Sequence, residues 1–181
     1  MTTSVETIPG YITGTWTIDQ VHSDVSFSVR HLGVAKVRGR FDKFSGTIVT
    51  AENPLESTVT ATIETASVNS NNGMRDDHIR NGDFLDAEGH PELTFASTGL
   101  VAESATVFRV EGDLTLRGVT KPVTLELELN GFADGMDGNP IAGFTATTVI
   151  NRSEFGVTGG PAGAALGEKV TIVLEIEAKQ G

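Results

Sequence analysis

Asp24-Val25-Ser26-Phe27-Ser28-Val29-Arg30-His31-Leu32 sets Val25, Phe27 and Val29 on one side of an extended chain and Asp24, Ser26, Ser28 and Arg30 on the other. Successive side chains of a β-strand point to opposite faces, so a period of two is the signature of a half-buried strand. Outward from this stretch the same period recurs. Val37, Gly39 and Phe41 alternate with Lys36, Arg38 and Arg40. Past Asp42 and Lys43 the apolar phase moves to Phe44, Gly46 and Ile48, and the extra residue predicts a β-bulge. Val59, Ala61 and Ile63 oppose Thr58, Thr60, Thr62 and Glu64; Val123, Leu125, Leu127 and Leu129 oppose Thr124, Glu126 and Glu128; Val170, Ile172, Leu174 and Ile176 oppose Thr171, Glu175 and Glu177. Shorter strands read at Trp16 to Asp19, Leu93 to Leu100, Val107 to Leu116 and Ala142 to Ile150.

Alternation with one polar face marks antiparallel strands. Turn residues separate them: Gly33, Gly99, Gly118, the Asp134 to Pro140 loop and the glycine-rich run Gly159 to Gly167. One helix is predicted, Asn72 to Asn81, with Asn71 or Asn72 as its cap and Gly82 at its end. It falls in the long connection between Val68 and Leu93, and long connections are commonly lids or other functional loops. Eight or so strands with no second run of helices suggest a barrel or a sandwich, and only closure removes the exposed edges. The expectation is one all-β domain over residues 14–181, an antiparallel barrel of eight or so strands, preceded by a loose arm, 1–13.

The 181 residues fit one domain. A net charge of −11 argues against nucleic acid, which calls for a basic footprint, and against adhesion to anionic membranes. Cysteine is absent, which excludes disulfides, thiolate metal ligands and a cysteine nucleophile. No apolar run approaches 18 residues, so stable membrane insertion is not expected. Met1 to Tyr11 lacks the basic-then-apolar pattern of a signal peptide. A cytoplasmic location is the expectation, with the envelope as the alternative if a signal was removed.

His22, His31, His78 and His90 form no pair at metal-ligand spacing, and no nucleophile elbow, P-loop or dinucleotide fingerprint is present. Asp134, Asp137 and Gly138 lack the register of a calcium loop and read as a turn. Asp76, Asp77, Asp83, Asp86 and Glu88 could supply acid–base pairs, but a solvated acidic loop is the simpler reading. His31 continues the inward phase of Phe27 and Val29, either as a hydrogen-bonded rim residue or as a group that meets a ligand's head. Arg30, Lys36, Arg38, Arg40 and Lys43 form a local basic stripe. It either pairs with acidic neighbouring strands or serves as an anion or partner site.

Four segments in order resemble the YceI-like family of lipid-binding proteins. They are Trp16-Thr-Ile-Asp-Gln-Val-His22-Ser23-Asp-Val-Ser-Phe27-Ser-Val-Arg-His31-Leu32-Gly33 with Val37-Arg-Gly39-Arg-Phe41; Arg75-Asp76-Asp77-His78-Ile79-Arg80 with Asp83-Phe84-Leu85-Asp86 and Pro91-Glu-Leu-Thr-Phe95; Gly112-Asp-Leu-Thr-Leu116-Arg-Gly118-Val-Thr-Lys121-Pro122-Val123; and Asn151-Arg152-Ser153-Glu154-Phe155-Gly156. The resemblance spans about residues 14–179. It implies an eight-stranded antiparallel up-and-down barrel, lipocalin-like, whose elongated interior takes a polyisoprenoid chain, an isoprenoid quinone or a polyprenyl pyrophosphate. Many members carry a signal peptide, and this chain departs from them there.

On that reading the apolar tunnel is walled by Phe27, Val29, Phe41, Phe44, Ile48, Val59, Ile63, Phe95, Leu114, Leu116, Leu125, Leu127, Phe144, Ile172 and Leu174, residues that an ordinary packed core would use equally. Gly39, Gly46 and Ala61 in the inner phases are expected to leave room for the chain. Trp16 is expected to plug one end, and His31, Arg75 and Arg152 to stand at the headgroup or mouth, either cation alternatively bracing its own loop. The expected function is binding of an isoprenoid lipid as a carrier, store or sink, with no catalytic residue, metal or cofactor beyond that ligand. The alternatives are an enzyme acting on a bound isoprenoid and a protein-interaction module, and a homodimer is open.

Overall fold

The computed structural model describes residues 8–181. Eight strands form the barrel. We number them β1 (Gly14–Ile18 continued by Asp24–His31), β2 (Ala35–Phe41 continued by Phe44–Thr50), β3 (Thr58–Glu64 continued by Val68–Asn69), β4 (Glu92–Ala102), β5 (Val107–Leu116), β6 (Val119–Asp134), β7 (Pro140–Asn151) and β8 (Leu166–Gln180). Each pairs antiparallel with its neighbour in sequence. β8 returns to β1, with Trp16 opposite Gln180 and Phe27 opposite Ile172, and this pairing closes the ring.

The first three strands are interrupted. β1 breaks over 19–23, β2 at Asp42 and Lys43, and β3 at the 3-10 turn Thr65–Ser67. The phase shift expected in β2 is present, because both Phe41 and Phe44 are buried. Its form is a two-residue break across which β2 passes from one segment of β3 to the other, with Phe41 facing Val68 and Phe44 facing Ile63. Register shifts also occur at Asn130 and Thr98, each an extra residue in its strand. Such irregularities bend a sheet enough to close it.

The helix α1 (Gly73–Arg80) is capped by Asn72, whose side chain accepts from Arg75 N–H. It ends at Asn81 without a left-handed residue, so Gly82 is not its terminator. None of the helices among the described residues is long and apolar enough to cross a membrane.

Of the arm expected over 1–13, residues 1–7 lie outside the described residues. Within 8–13, Pro9, Gly10 and Thr13 are exposed, and the apolar residues lie against the barrel. Ile8 is buried, and Tyr11 Oη donates to Ala51 O while its ring meets Phe132 edge-on. An apolar segment beside an open barrel end gains more from covering it than from solvation.

Candidate functional site

An internal cavity of about 540 Å³ runs through the barrel. All fifteen expected wall residues line it, as do His31, Arg75 and Arg152. Phe27, Val29, Ile63, Leu127, Ile172 and Leu174 face inward yet are only half-buried, because the surface they leave uncovered is the cavity's own. A solid core would have covered them at close-packed density.

The glycines act differently from the expectation that they would leave gaps. An added Cβ on Gly39 would sit 2.5 Å from Phe27 Cζ, and one on Gly112 would collide with the Phe95 ring. Phe27 faces Gly39 directly across the β1–β2 pair. Each ring therefore lies against the neighbouring strand where a side chain would otherwise stand, and the barrel axis stays clear. Gly46 likewise receives Ile18 Cδ1, at 2.6 Å from its would-be Cβ.

One end is sealed. Trp16 has no solvent exposure. Its Nε1–H donates to Thr50 Oγ1 at 2.8 Å, and that hydroxyl donates to Ile12 O. Tyr11, Phe132, Phe108 and Phe144 pack around it. Trp16 closes this end beneath the cavity floor formed by Ile8, Tyr11 and Phe132, which line the void and were not anticipated as lining residues.

The other end is polar and built from long connections. His31 is half-buried, and its ring has no hydrogen-bond partner among the described residues. Arg75 donates from Nε to Ser70 Oγ and from Nη2 to Ser70 O, which leaves three of its five N–H groups for another acceptor. Arg152 takes the alternative use, bracing its own loop. Its five N–H groups all go to backbone carbonyls, those of Gly167, Val157, Thr158, Gly163 and Leu166. No donor is left for a headgroup, so Arg152 braces the 157–167 segment that roofs this end.

His78, Phe84, Ala162 and Leu166 join the rim, and sequence reading missed them. The Asp83-Phe84-Leu85 motif signalled that region without indicating its direction. The acidic residues of the lid are locally engaged: Asp76 accepts from Ser70, Asp77 pairs with Arg80, and Asp83 with His78. Asp19, His22 and Glu177 cluster outside the barrel. Mutual hydrogen bonding there holds the Asp19 carboxyl below, and the His22 imidazole above, its usual range.

The basic stripe does not pair with acidic neighbouring strands. Only Arg40 has an ion pair among the described residues, with Asp42 of its own chain segment. Arg30, Lys36 and Arg38 are exposed and border an open cleft with Ser70, Asn71 and Arg75.

The YceI-like domain pattern matches residues 16–178. The chain is 40% identical to Protein YceI of Escherichia coli O157:H7 over 162 residues, 88% of this chain and 82% of that protein. It is 42% identical to a UPF0312 protein of Vibrio campbellii over 135 residues, 74% of this chain and 71% of that one. Among solved structures, the Campylobacter jejuni YceI protein matches with a TM-score of 0.76 at 32% identity, covering 90% of this chain and 96% of that one. A polyisoprenoid binding domain from Saccharophagus degradans shares the fold, with a TM-score of 0.73 at 15% identity over 94% of this chain and 100% of that one. With the closed eight-stranded barrel and its hollow interior, these matches show that the chain belongs to the YceI-like family.

Proposed function

We propose that the protein binds a long apolar chain of the isoprenoid class inside the barrel and serves as its carrier, store or sink. The observation that carries this reading is the continuous cavity of about 540 Å³, walled by aliphatic and aromatic side chains and stopped at one end by the Trp16 cluster. Its volume lies in the range of about 300–1,000 Å³ used for small-molecule sites. The name of the Saccharophagus degradans domain, which has this fold, is consistent with the same ligand class. Burial stabilises by roughly 0.8 kcal/mol per methylene, so a five-carbon unit contributes on the order of 3–4 kcal/mol. Three or four units offset association and ordering costs of roughly 4–15 kcal/mol. Affinity then needs no polar anchor, and the headgroup contacts mainly set orientation. We assign that role to Arg75, with its free donors, and to His31.

Binding rather than catalysis is our reading. The histidine–carboxylate pairs, His22 with Asp19, His78 with Asp83 and His90 with Asp86, have no hydroxyl nucleophile hydrogen-bonded to them among the described residues. Reproducible turnover of an isoprenoid, abolished by His31→Ala, would overturn this. The ligand itself is tested by Leu125→Trp. Leu125 lies on the cavity wall in β6, and an indole there should lower the affinity for a fluorescent polyprenyl probe by roughly tenfold or more, about 1.4 kcal/mol. Unchanged affinity in a variant whose circular dichroism reports an intact barrel would remove Leu125 from the ligand path. Native mass spectrometry of protein from its own host identifies the chain it carries.

A further inference from the structure

The β1–β2 hairpin ends in Leu32, Gly33 and Val34, and its tip is costly in two ways. Leu32 is 67% exposed and Val34 86%. Leu32 also has φ +53° beside Gly33 at +71°, with Val34 N–H donating to His31 O at 3.2 Å. Two consecutive positive-φ residues in a tight hairpin favour Asn or Gly, and a bulky residue there is strained. A leucine at this position is favoured neither by the backbone nor by water. The tip is nonetheless held in place, because Leu32 N–H donates to Ala165 O at 2.8 Å.

Directly behind the tip stand Arg30 and Lys36, cross-strand partners, and Arg38 opposite Ser28. None of the three has an ion pair among the described residues, and all are exposed. Across the open cleft that they share with Ser70, Asn71 and Arg75, the first turn of α1 presents Met74, 87% exposed. Arg75, His31 and Val37 line the cavity from the same end.

We propose that this hairpin tip docks the barrel, mouth first, on an anionic lipid bilayer. Leu32 and Val34 enter the interface, and Arg30, Lys36 and Arg38 meet the lipid phosphates. Apolar side chains flanked by cations suit that boundary: the first gain from burial among acyl chains and the second from the negative surface. The overall charge of −11 opposes such docking only weakly, because charges beyond a Debye length of about 8 Å are screened. Of the carboxylates around this end, Asp76 is buried against Ser70 and turned from the surface, and Asp77 lies beside the Arg80 guanidinium. A mouth held against a bilayer suits an apolar cargo that resides there, which is where this inference rests on the ligand reading above. The docking surface itself does not depend on it.

The test is sedimentation of the protein with vesicles of phosphatidylcholine alone and of phosphatidylcholine with phosphatidylglycerol, with no isoprenoid present. That keeps its outcome separate from ligand binding in the cavity. The expected result is salt-sensitive binding to the mixed vesicles only. Lys36→Gln with Arg38→Gln should weaken it by about 30-fold, at roughly 1 kcal/mol per cation. Leu32→Asn with Val34→Ser should abolish it while holding or raising the melting temperature, since Asn suits the positive φ. The native tryptophan lies at the far end, so Val34→Trp should add an emission component that shifts to the blue on mixed vesicles. Wild-type protein that ignores the vesicles, or tip or cation variants that bind as wild type, would overturn the proposal. Capture of an acidic protein partner by the same cations, without vesicle binding, would overturn it as well.

Discussion

At the end of the barrel where chain start and finish meet, Trp16 is fully enclosed, its indole N–H is satisfied by Thr50, and the neighbouring contacts are rings. At the opposite end the wall is made of an interrupted β1–β3 sheet, an eight-residue helix and a segment tied together by one arginine, with cations and bare hydrophobes on the rim. The first end resembles a protein core and the second a fitted but shallow closure. Stability within one domain is not uniform, and elements with few apolar contacts open first. The difference assigns cohesion to one end and access to the other, with the cavity spanning both.

The comparison breaks most visibly at the sealed end. Trp16→Ala removes a fully buried indole and strips Thr50 of its donor. It is expected to cost about 3–5 kcal/mol, read as a fall in the denaturant midpoint with the slope unchanged. A loss under about 1 kcal/mol would mean that this end is not the anchor. At the mouth, Arg152→Gln leaves several of five carbonyls without their charged donor. A cost of about 2–3 kcal/mol is expected, with amide exchange accelerating over 157–167 and not around Trp16. Uniform acceleration throughout the barrel would erase the distinction between the ends.

The smallest effect sharpens it on the outside, at His22. Its imidazole is raised first by the hydrogen bond it donates to Asp19 and then by the charges of Asp19 and Glu177. A raised folded value means a contribution present below the ordinary imidazole range and lost as pH rises through the raised one. Asp19 is lowered, chiefly by His22, so its contribution is present above the ordinary carboxyl range and lost as pH falls through the lowered value. The pair therefore helps most in mildly acidic solution. Asp19→Asn should move the His22 titration, followed by NMR, downward. A His22 that already titrates in the ordinary range would contradict the contact.

Much of this was legible beforehand because the side-chain period of a strand is geometric. Phe27, Leu125 and Ile172 had to share an inside once β1, β6 and β8 were strands, and Asn72 was readable as a cap by its chemistry. Periodicity tells a side chain's face and not what stands opposite it. Phe27 lying over Gly39, Arg152 turning into its own loop, and Arg30 and Lys36 facing each other without a carboxylate are all set by pairing register. Ile8 and Tyr11 were obscured for a related reason: a non-periodic apolar segment acquires a partner only when the ring closes and leaves an end to cover.

Because every strand pairs with its successor, only the β1–β8 seam pairs strands far apart in the chain, with Trp16 meeting Gln180 and Thr15 O accepting from Gly181 N–H. During synthesis, which proceeds at about 5–20 residues per second, the growing sheet can curl but cannot close until Leu166–Gln180 has emerged. Until then both β1 and β7 are bare edges, open to pairing with any other strand, and the apolar wall is an open trough rather than a lumen. The fifteen residues of β8 thus decide when the nascent chain stops being a sticky sheet and becomes a vessel.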